Sequence, residues 1–422
     1  MKEISSSEFE LEINAGGKLV LDFYSTECPP CDALAPKFEG LAQLYGNDIR
    51  FVKMYRQANR ELAEKLGVKS SPSLLFFEDG KQIGNMLSGG IKRSEIIHEL
   101  NNMLTHDRVE AIKSQIKPAV SEFDVLILGA GPGGLTAGLY LCQSKVNTVL
   151  IDIALPGGHV STTHEVSNYP GFIDPQPGYL LSHNMSEQTK LCGTSYKVAV
   201  DVTKIDLNKK EVVIDEFETI RAKKIIIATG TSPNLMGIPG EKELKGKGIS
   251  YCATCDAKYY DDKEVLVIGG GNSAIEEADF ISKFASKITV VHQFDSFTAN
   301  KQAQEKLFAN PKIQTKFGFE PRSFVREGDK IITEVEDLKT HERSKLVSDG
   351  VFVFIGMKPN IDMFRDKLEL DSWGYVNTNE DMLTSMSDIY AVGDVISKKY
   401  RQITTAVADG TIAAISIVKE LS

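Results

Sequence analysis

The chain is poor in cysteine, short of positive charge and free of long apolar runs. Six cysteines in 422 residues are too few for a disulfide scaffold. A net charge of −10 and a pI near 5.4 argue against a general nucleic-acid binder and against binding to anionic membranes. No apolar stretch approaches the roughly 18 residues that a membrane helix needs. The first residues, Met1–Ser5, lack the apolar core of a signal peptide. A cytoplasmic protein without membrane or nucleic-acid partners is expected. The length allows about two to four domains.

What is present is patterned. Four cysteines form two C-x-x-C pairs, Cys28/Cys31 and Cys252/Cys255; Cys142 and Cys192 stand alone. In a reducing compartment such pairs are metal ligands or redox dithiols. A four-cysteine zinc site would have to join pairs more than 200 residues apart, and no metal site is expected. The lone cysteines read as buried bystanders.

Residues 1–106 read as one α/β unit. Lys18–Tyr24 is a nearly all-apolar strand, and Ala33, Leu34, Phe38, Leu41, Ala42 and Tyr45 mark an amphipathic helix that starts at the cysteines. Ile49–Met54 predicts a strand. Asn59 predicts the N-cap of a helix that reaches Leu66 and stops at Gly67. Ser73–Glu78 and Ile83–Leu87 predict a hairpin, and Ile91–His106 a closing helix. Residues 107–120 read as a linker.

Beyond it, a strand, glycine-rich loop, helix and second strand occur twice. In the first copy Phe123–Leu128 runs into Gly129, Gly131, Pro132, Gly133 and Gly134, and Asp152 ends the next strand. The glycines permit close approach of a pyrophosphate to a helix N-terminus, and the acid can accept from a ribose hydroxyl. The second copy has Gly269, Gly271, Asn272, Ser273 and Ala274 between the strands Glu264–Ile268 and Lys287–His292. Two such units imply two dinucleotides.

The helix N-terminus at Cys28-Pro29-Pro30-Cys31 favours a thiolate at Cys28, the attacking sulfur, with Cys31 resolving. Asp22, flanked by Leu21 and Phe23, reads as a buried proton acceptor. Pro72, before a strand, suits a cis proline beside the cysteines. In Cys252-Ala253-Thr254-Cys255-Asp256, Asp256 is placed to exchange protons with a thiol.

On these motifs residues 1–106 resemble thioredoxin, with Glu27 and Pro29 where thioredoxins usually carry tryptophan and glycine. Residues 121–422 resemble a low-molecular-weight bacterial-type thioredoxin reductase. The likeness runs through Gly129–Gly134, Pro156–Gly171, Ala228–Gly230, Cys252–Asp256, Gly269–Ala274, Gly356–Asn360, Ala391–Val395 and Arg401–Gln402. It implies a thioredoxin fold followed by two Rossmann-like three-layer domains, the FAD domain at 121–238 and 355–422 being interrupted by a pyridine-nucleotide and redox domain at 239–354. It implies FAD contacts from the first glycine loop, Asp152, Gly157, Gly158, His159, Asn168, Ala228, Thr229, Gly230, Gly393, Asp394, Arg401, Gln402 and Ile403. It places Cys255 nearest the flavin, with Cys252 attacking the thioredoxin disulfide.

The resemblance also implies a homodimer, hinges near Pro233–Pro239 and Gly350–Pro359, and protein disulfides, such as those of peroxiredoxins, as clients. One signature departs. Gln293, Phe294 and Thr298 stand where the family carries three arginines for the 2′-phosphate of NADPH, so the donor is NADPH or NADH. Relatives that take electrons from ferredoxin, and NADH-dependent peroxiredoxin reductases of the alkyl hydroperoxide reductase type, are the alternatives. A non-catalytic redox sensor is the third, and an intact Cys28/Cys31 pair weighs against it.

Overall fold

The computed structural model describes residues 1–163 and 165–421; His164, inside the Pro156–Gly171 motif, lies outside them. The chain forms two compact units. Unit 1 comprises Met1–Ser161, Leu180–Gly230 and Ile361–Ser422; unit 2 comprises Thr162–Tyr179 and Thr231–Asn360.

Unit 1 opens with β1 (Lys2–Glu3) and α1 (Ser6–Asn14), two elements that the sequence reading does not anticipate. β1 is only two residues long, and α1 buries a single residue, Phe9, so neither carries much periodic signal. Then follow β2 (Lys18–Tyr24), α2 (Pro29–Tyr45), β3 (Arg50–Tyr55), α3 (Arg60–Lys65), β4 (Ser73–Glu78), β5 (Lys81–Ser88), α4 (Arg93–Asn102) and α5 (His106–Lys113). The strands join in the order β1-β3-β2-β4-β5. β2 lies at the centre, parallel to β3 and antiparallel to β4, and its five middle residues are buried. A strand covered on both faces explains the unbroken apolar run. α2 buries Leu34, Phe38, Leu41 and Tyr45 against one face of this sheet.

Two readings need correction. The closing helix is two helices, broken at Met103–Thr105. The segment 107–120 is not an extended linker. α5 occupies half of it, with Val109 and Ile112 buried, and a strand begins at Ala119. Polar residues on the outer face of this short helix mask its inward pair.

The rest of unit 1 is a second sheet. β6 (Ala119–Leu128), α6 (Pro132–Gln143), β7 (Thr148–Asp152), α7 (Gly178–Cys192), β8 (Ser195–Val198), β9 (Val202–Asp206), β10 (Glu211–Ile214) and β11 (Glu218–Ile227) precede unit 2's long segment. The order is β8-β7-β6-β11-β10-β9, with Ile389–Ala391 added on β11. β6 starts four residues earlier than its apolar run because Glu218–Ala222 of β11 pairs with Ala119–Phe123. The last helix, Ile403–Leu421, crosses α6 closely: a Cβ on Gly410 would stand 2.2 Å from the carbonyl of Gly133.

Unit 2 holds a five-stranded parallel sheet ordered Ile249–Ser250, Gly350–Val353, Glu264–Ile268, Lys287–His292 and Ile313–Phe317. A three-stranded antiparallel sheet spans Phe319–Ser348. The chain passes between the two compact units at 230/231 and 360/361. Thr231–Pro233 pairs with Met357–Pro359 inside unit 2. Among the described residues no helix is long and apolar enough to cross a membrane, and no cluster of side chains is arranged to hold a metal.

Candidate active site

Both C-x-x-C pairs are disulfides. Each first cysteine is the N-cap of a helix, and its sulfur accepts the backbone N–H of the second cysteine. The distance is 3.3 Å from Cys31 N to Cys28 Sγ and 3.2 Å from Cys255 N to Cys252 Sγ. A sulfur so placed is stabilised as a thiolate once the bond opens. The scaffolds differ. Cys28 caps the 17-residue α2, whereas Cys252 caps a single turn, Ala253–Asp256.

Around the first pair, Ser71–Pro72 is a cis peptide, and Cys28 Sγ lies 3.5 Å from the carbonyl of Ser71. Glu27, just before the pair, is exposed with φ of 52°. Asp22 is buried in mid-strand; its Oδ1 accepts no hydrogen bond. Burial, only partly opposed by Lys53, pushes its carboxyl up to about 7. A group poised there exchanges protons readily at neutral pH. Asp256 closes the turn that holds the second pair.

The first glycine loop is a cradle in unit 1. Gly129 has φ of +110°, and a Cβ there would stand 2.3 Å from the carbonyl of Ala228, which brings the Ala228–Gly230 segment against the loop. Asp152 accepts from Ala130 N at 2.6 Å and Ala154 N at 2.8 Å; burial still raises its carboxyl above the usual range. Gly158 backs onto Gly131, and Gly393 onto Gly133. Arg401 donates to the carbonyls of Asp394 and Ile396 and stacks 3.7 Å over Tyr375. Gln402 directly precedes the last helix, which Ile403 starts.

Asp394 Oδ1 is buried without a hydrogen bond. Its carboxyl is raised by burial, with Lys398, Arg401 and His159 pulling the other way. A buried acceptor without a donor, beside glycines that leave no side chain in the way, fits the hydroxyls and phosphates of FAD. The sequence reading missed Lys398, whose ammonium lies 2.7 Å from Asp409 and 3.8 Å from Asp394. Asp409 in turn accepts from Gly393 N. Their spacing of eleven residues across a loop and a helix carries no motif. Asn168 lies in a segment of unit 2.

The second loop lies in unit 2. Gly271 caps the helix Asn272–Ile281. Thr298 donates through N and Oγ1 to the carbonyl of Gly270, so it braces the loop. Phe294 is exposed, and Asp295 pairs with Lys339 at 2.9 Å. Gln293, Phe294 and Thr298 place no cation at this strand end.

Residues 123–410 match the pyridine nucleotide-disulphide oxidoreductase family, and residues 1–102 match thioredoxin. The chain belongs to the pyridine nucleotide-disulphide oxidoreductases. It is 43% identical over 303 residues to a thioredoxin reductase of Peptoclostridium acidaminophilum, covering 69% of this chain and 95% of that protein. It is 39% identical over 297 residues to the thioredoxin reductase of Bacillus subtilis, covering 70% and 93%. The crystal structure of Lactococcus lactis thioredoxin reductase superposes with a TM-score of 0.67 at 35% identity, over 71% of this chain and 99% of that one. The protein is thus a thioredoxin reductase-type disulfide oxidoreductase carrying an N-terminal thioredoxin domain. Membership implies FAD and a pyridine nucleotide.

Unit 1 also joins its two parts through charge. Lys37 on α2 donates to the carbonyls of Ile91 at 3.1 Å, Val198 at 3.0 Å and Ala199 at 2.6 Å. Lys92 pairs with Asp201, and Lys190 with Asp32, both at 3.0 Å. A cavity of about 600 Å³ lies beside this contact, with Pro29, Asp32 and Lys37 on one wall and Pro156, Lys190 and Phe217 on the other.

Proposed function

We propose that the chain is a reductase and its own thioredoxin substrate combined: two electrons pass to Cys252–Cys255, then to Cys28–Cys31, then to client protein disulfides. The observation that carries this reading is the pair of like-built disulfides, each with its first sulfur at a helix start and accepting from the second cysteine's N–H. Bound FAD supplies a two-electron carrier between a reduced nicotinamide and a disulfide. Gly129–Gly134, Asp152, Gly157, Gly158, Gly393, Asp394 and Arg401 would hold it.

Once reduced, Cys252 attacks the Cys28–Cys31 disulfide and Cys255 resolves the mixed disulfide, with Asp256 exchanging the thiol proton. Cys28 then attacks the client, Cys31 resolves, and Asp22 takes its proton. Delivery needs the second pair to turn between flavin and thioredoxin. The proposed hinges are the stretches around Pro233–Pro239 and Gly350–Pro359, and the proposed assembly is a homodimer. The domain division proposed is thioredoxin at 1–106, FAD domain at 121–238 and 355–422, and nucleotide domain between.

The donor is proposed to be a nicotinamide nucleotide, NADPH or NADH, bound at Gly269–Ala274; Gln293, Phe294 and Thr298 stand where the family's arginines for the 2′-phosphate would be. Anaerobic bleaching of the flavin with NADPH, NADH and reduced ferredoxin, offered separately, decides the donor. Bleaching by ferredoxin alone would overturn it. Turnover of insulin disulfides by the full chain, lost in Cys28→Ser, tests the fused pathway; unchanged turnover would refute it.

A further inference from the structure

The two cysteines outside the C-x-x-C motifs are 50 residues apart in sequence and adjacent in the fold. Cys142 lies in the last turn of α6, the helix that leaves the first glycine loop, and Cys192 ends α7. Their contacts are reciprocal. Cys142 Sγ donates to the carbonyl of Cys192 at 2.6 Å, and Cys192 Sγ to that of Leu139, three residues before Cys142, at 3.9 Å. Both are half-buried thiols, so a small molecule can reach them. The two helix ends are held independently of the sulfurs: Thr189 on α7 donates to the carbonyl of Leu135 on α6 at 3.0 Å, and Thr194 to that of Gly138 at 3.1 Å.

We propose that Cys142 and Cys192 form a third thiol–disulfide couple, within the FAD-binding part of unit 1, that is oxidised by low-molecular-weight disulfides. The neighbouring Cys142 side chain, together with burial, pushes Cys192 up to about 11. In the exchange Cys142 enters first. Its thiolate attacks one sulfur of the small disulfide and releases one small thiolate. Cys192 then loses its proton, attacks the Cys142 sulfur of the mixed disulfide and releases the second small thiolate. The small disulfide gains two electrons and ends as two thiols. The protein loses two electrons and two protons and gains one S–S bond. The bridge ties the end of α6 to the end of α7 and closes a loop that contains β7. It does not depend on the electron route proposed above.

The test uses the full chain with FAD bound. The protein is fully reduced, freed of reductant, equilibrated with excess oxidised glutathione, quenched in acid and alkylated. Alkylatable thiols are expected to fall from six to none. The peptide ending at Lys145 is expected to be joined to Leu191–Lys197 after trypsin. Two thiols left at Cys142 and Cys192, or separate glutathione adducts on each, would overturn the proposal. A variant with serine at 28, 31, 252 and 255 isolates the couple, and its thiols should fall from two to none. In Cys142→Ser, pairing of Cys192 with any other cysteine of the chain would show that proximity does not specify the bridge, and would also overturn it.

Discussion

The two C-x-x-C pairs share one local geometry on unequal scaffolds. Both first cysteines cap a helix and both first sulfurs accept the second cysteine's N–H. Cys28 sits on 17 α-helical residues, Cys252 on four that run into a 3-10 turn, Ala257–Tyr260. A long helix presents aligned peptide dipoles to the sulfur, whereas one turn offers little beyond its first N–H groups. The first pair also has a buried carboxyl in Asp22 on the neighbouring strand. The comparison teaches that spacing sets the bond, while the supporting element sets how readily each thiolate forms.

The largest effect separates the pairs by role. Cys252→Ser is expected to slow donor-driven insulin reduction by about a thousandfold or more, while reduction driven by dithiothreitol persists. Cys28→Ser should abolish both and leave flavin reduction intact. If Cys252→Ser retains donor-driven turnover, the two pairs do not act in series.

Next is Asp22→Asn, which should slow client reduction at pH 7 by about a hundredfold through loss of proton exchange at Cys31. It has a second, opposite consequence. Because Asp22 is raised to about 7 in the fold, the native protein holds its proton more tightly than the unfolded chain. That advantage is full below about pH 4 and is lost as pH climbs through 7. Asp22→Asn should therefore flatten the fall in thermal stability across that window and melt higher than the parent at pH 8. An unchanged pH profile would show that the carboxyl is not buried in solution.

A smaller difference concerns the helices themselves. In the reduced protein at pH 7, Cys28 should be alkylated by iodoacetamide about three to ten times faster than Cys252. Equal rates would mean that the short turn serves as well as the long helix.

The smallest effect concerns what holds α2. Burial lowers Lys37 to about 8, with Asp215 and Asp201 opposing. The docked lysine thus releases its proton more easily than a solvated one, so contact between the two parts of unit 1 should tighten as pH rises from 8 towards 10.5. Lys37→Met should remove this pH dependence while changing contact at pH 7 only a few-fold, as read by limited proteolysis between Lys113 and Ala119.

Much of this was legible in the chain because it depends on neighbours in sequence. The apolar run at β2, the 3.6-residue period of α2, both glycine loops and both cysteine pairs are local patterns, and each appears where its residues place it. The family follows from these motifs in order. Elsewhere the local signal was absent or misleading. The helix at His106–Lys113 hides its two inward residues among polar ones, and β6 gains its first turn-side residues only by pairing with β11.

The sequence alone determined the chemistry: two dithiol motifs, two dinucleotide loops and the lack of arginine at positions 293, 294 and 298, all set by residue type and short spacing. Only the tertiary structure decided which distant groups meet. It strands Asp394 without a donor, sets Lys398 beside it, fastens α2 through Lys37 and brings Cys142 to Cys192. Such contacts arise from helix packing across tens of residues, where no periodicity or motif links the partners.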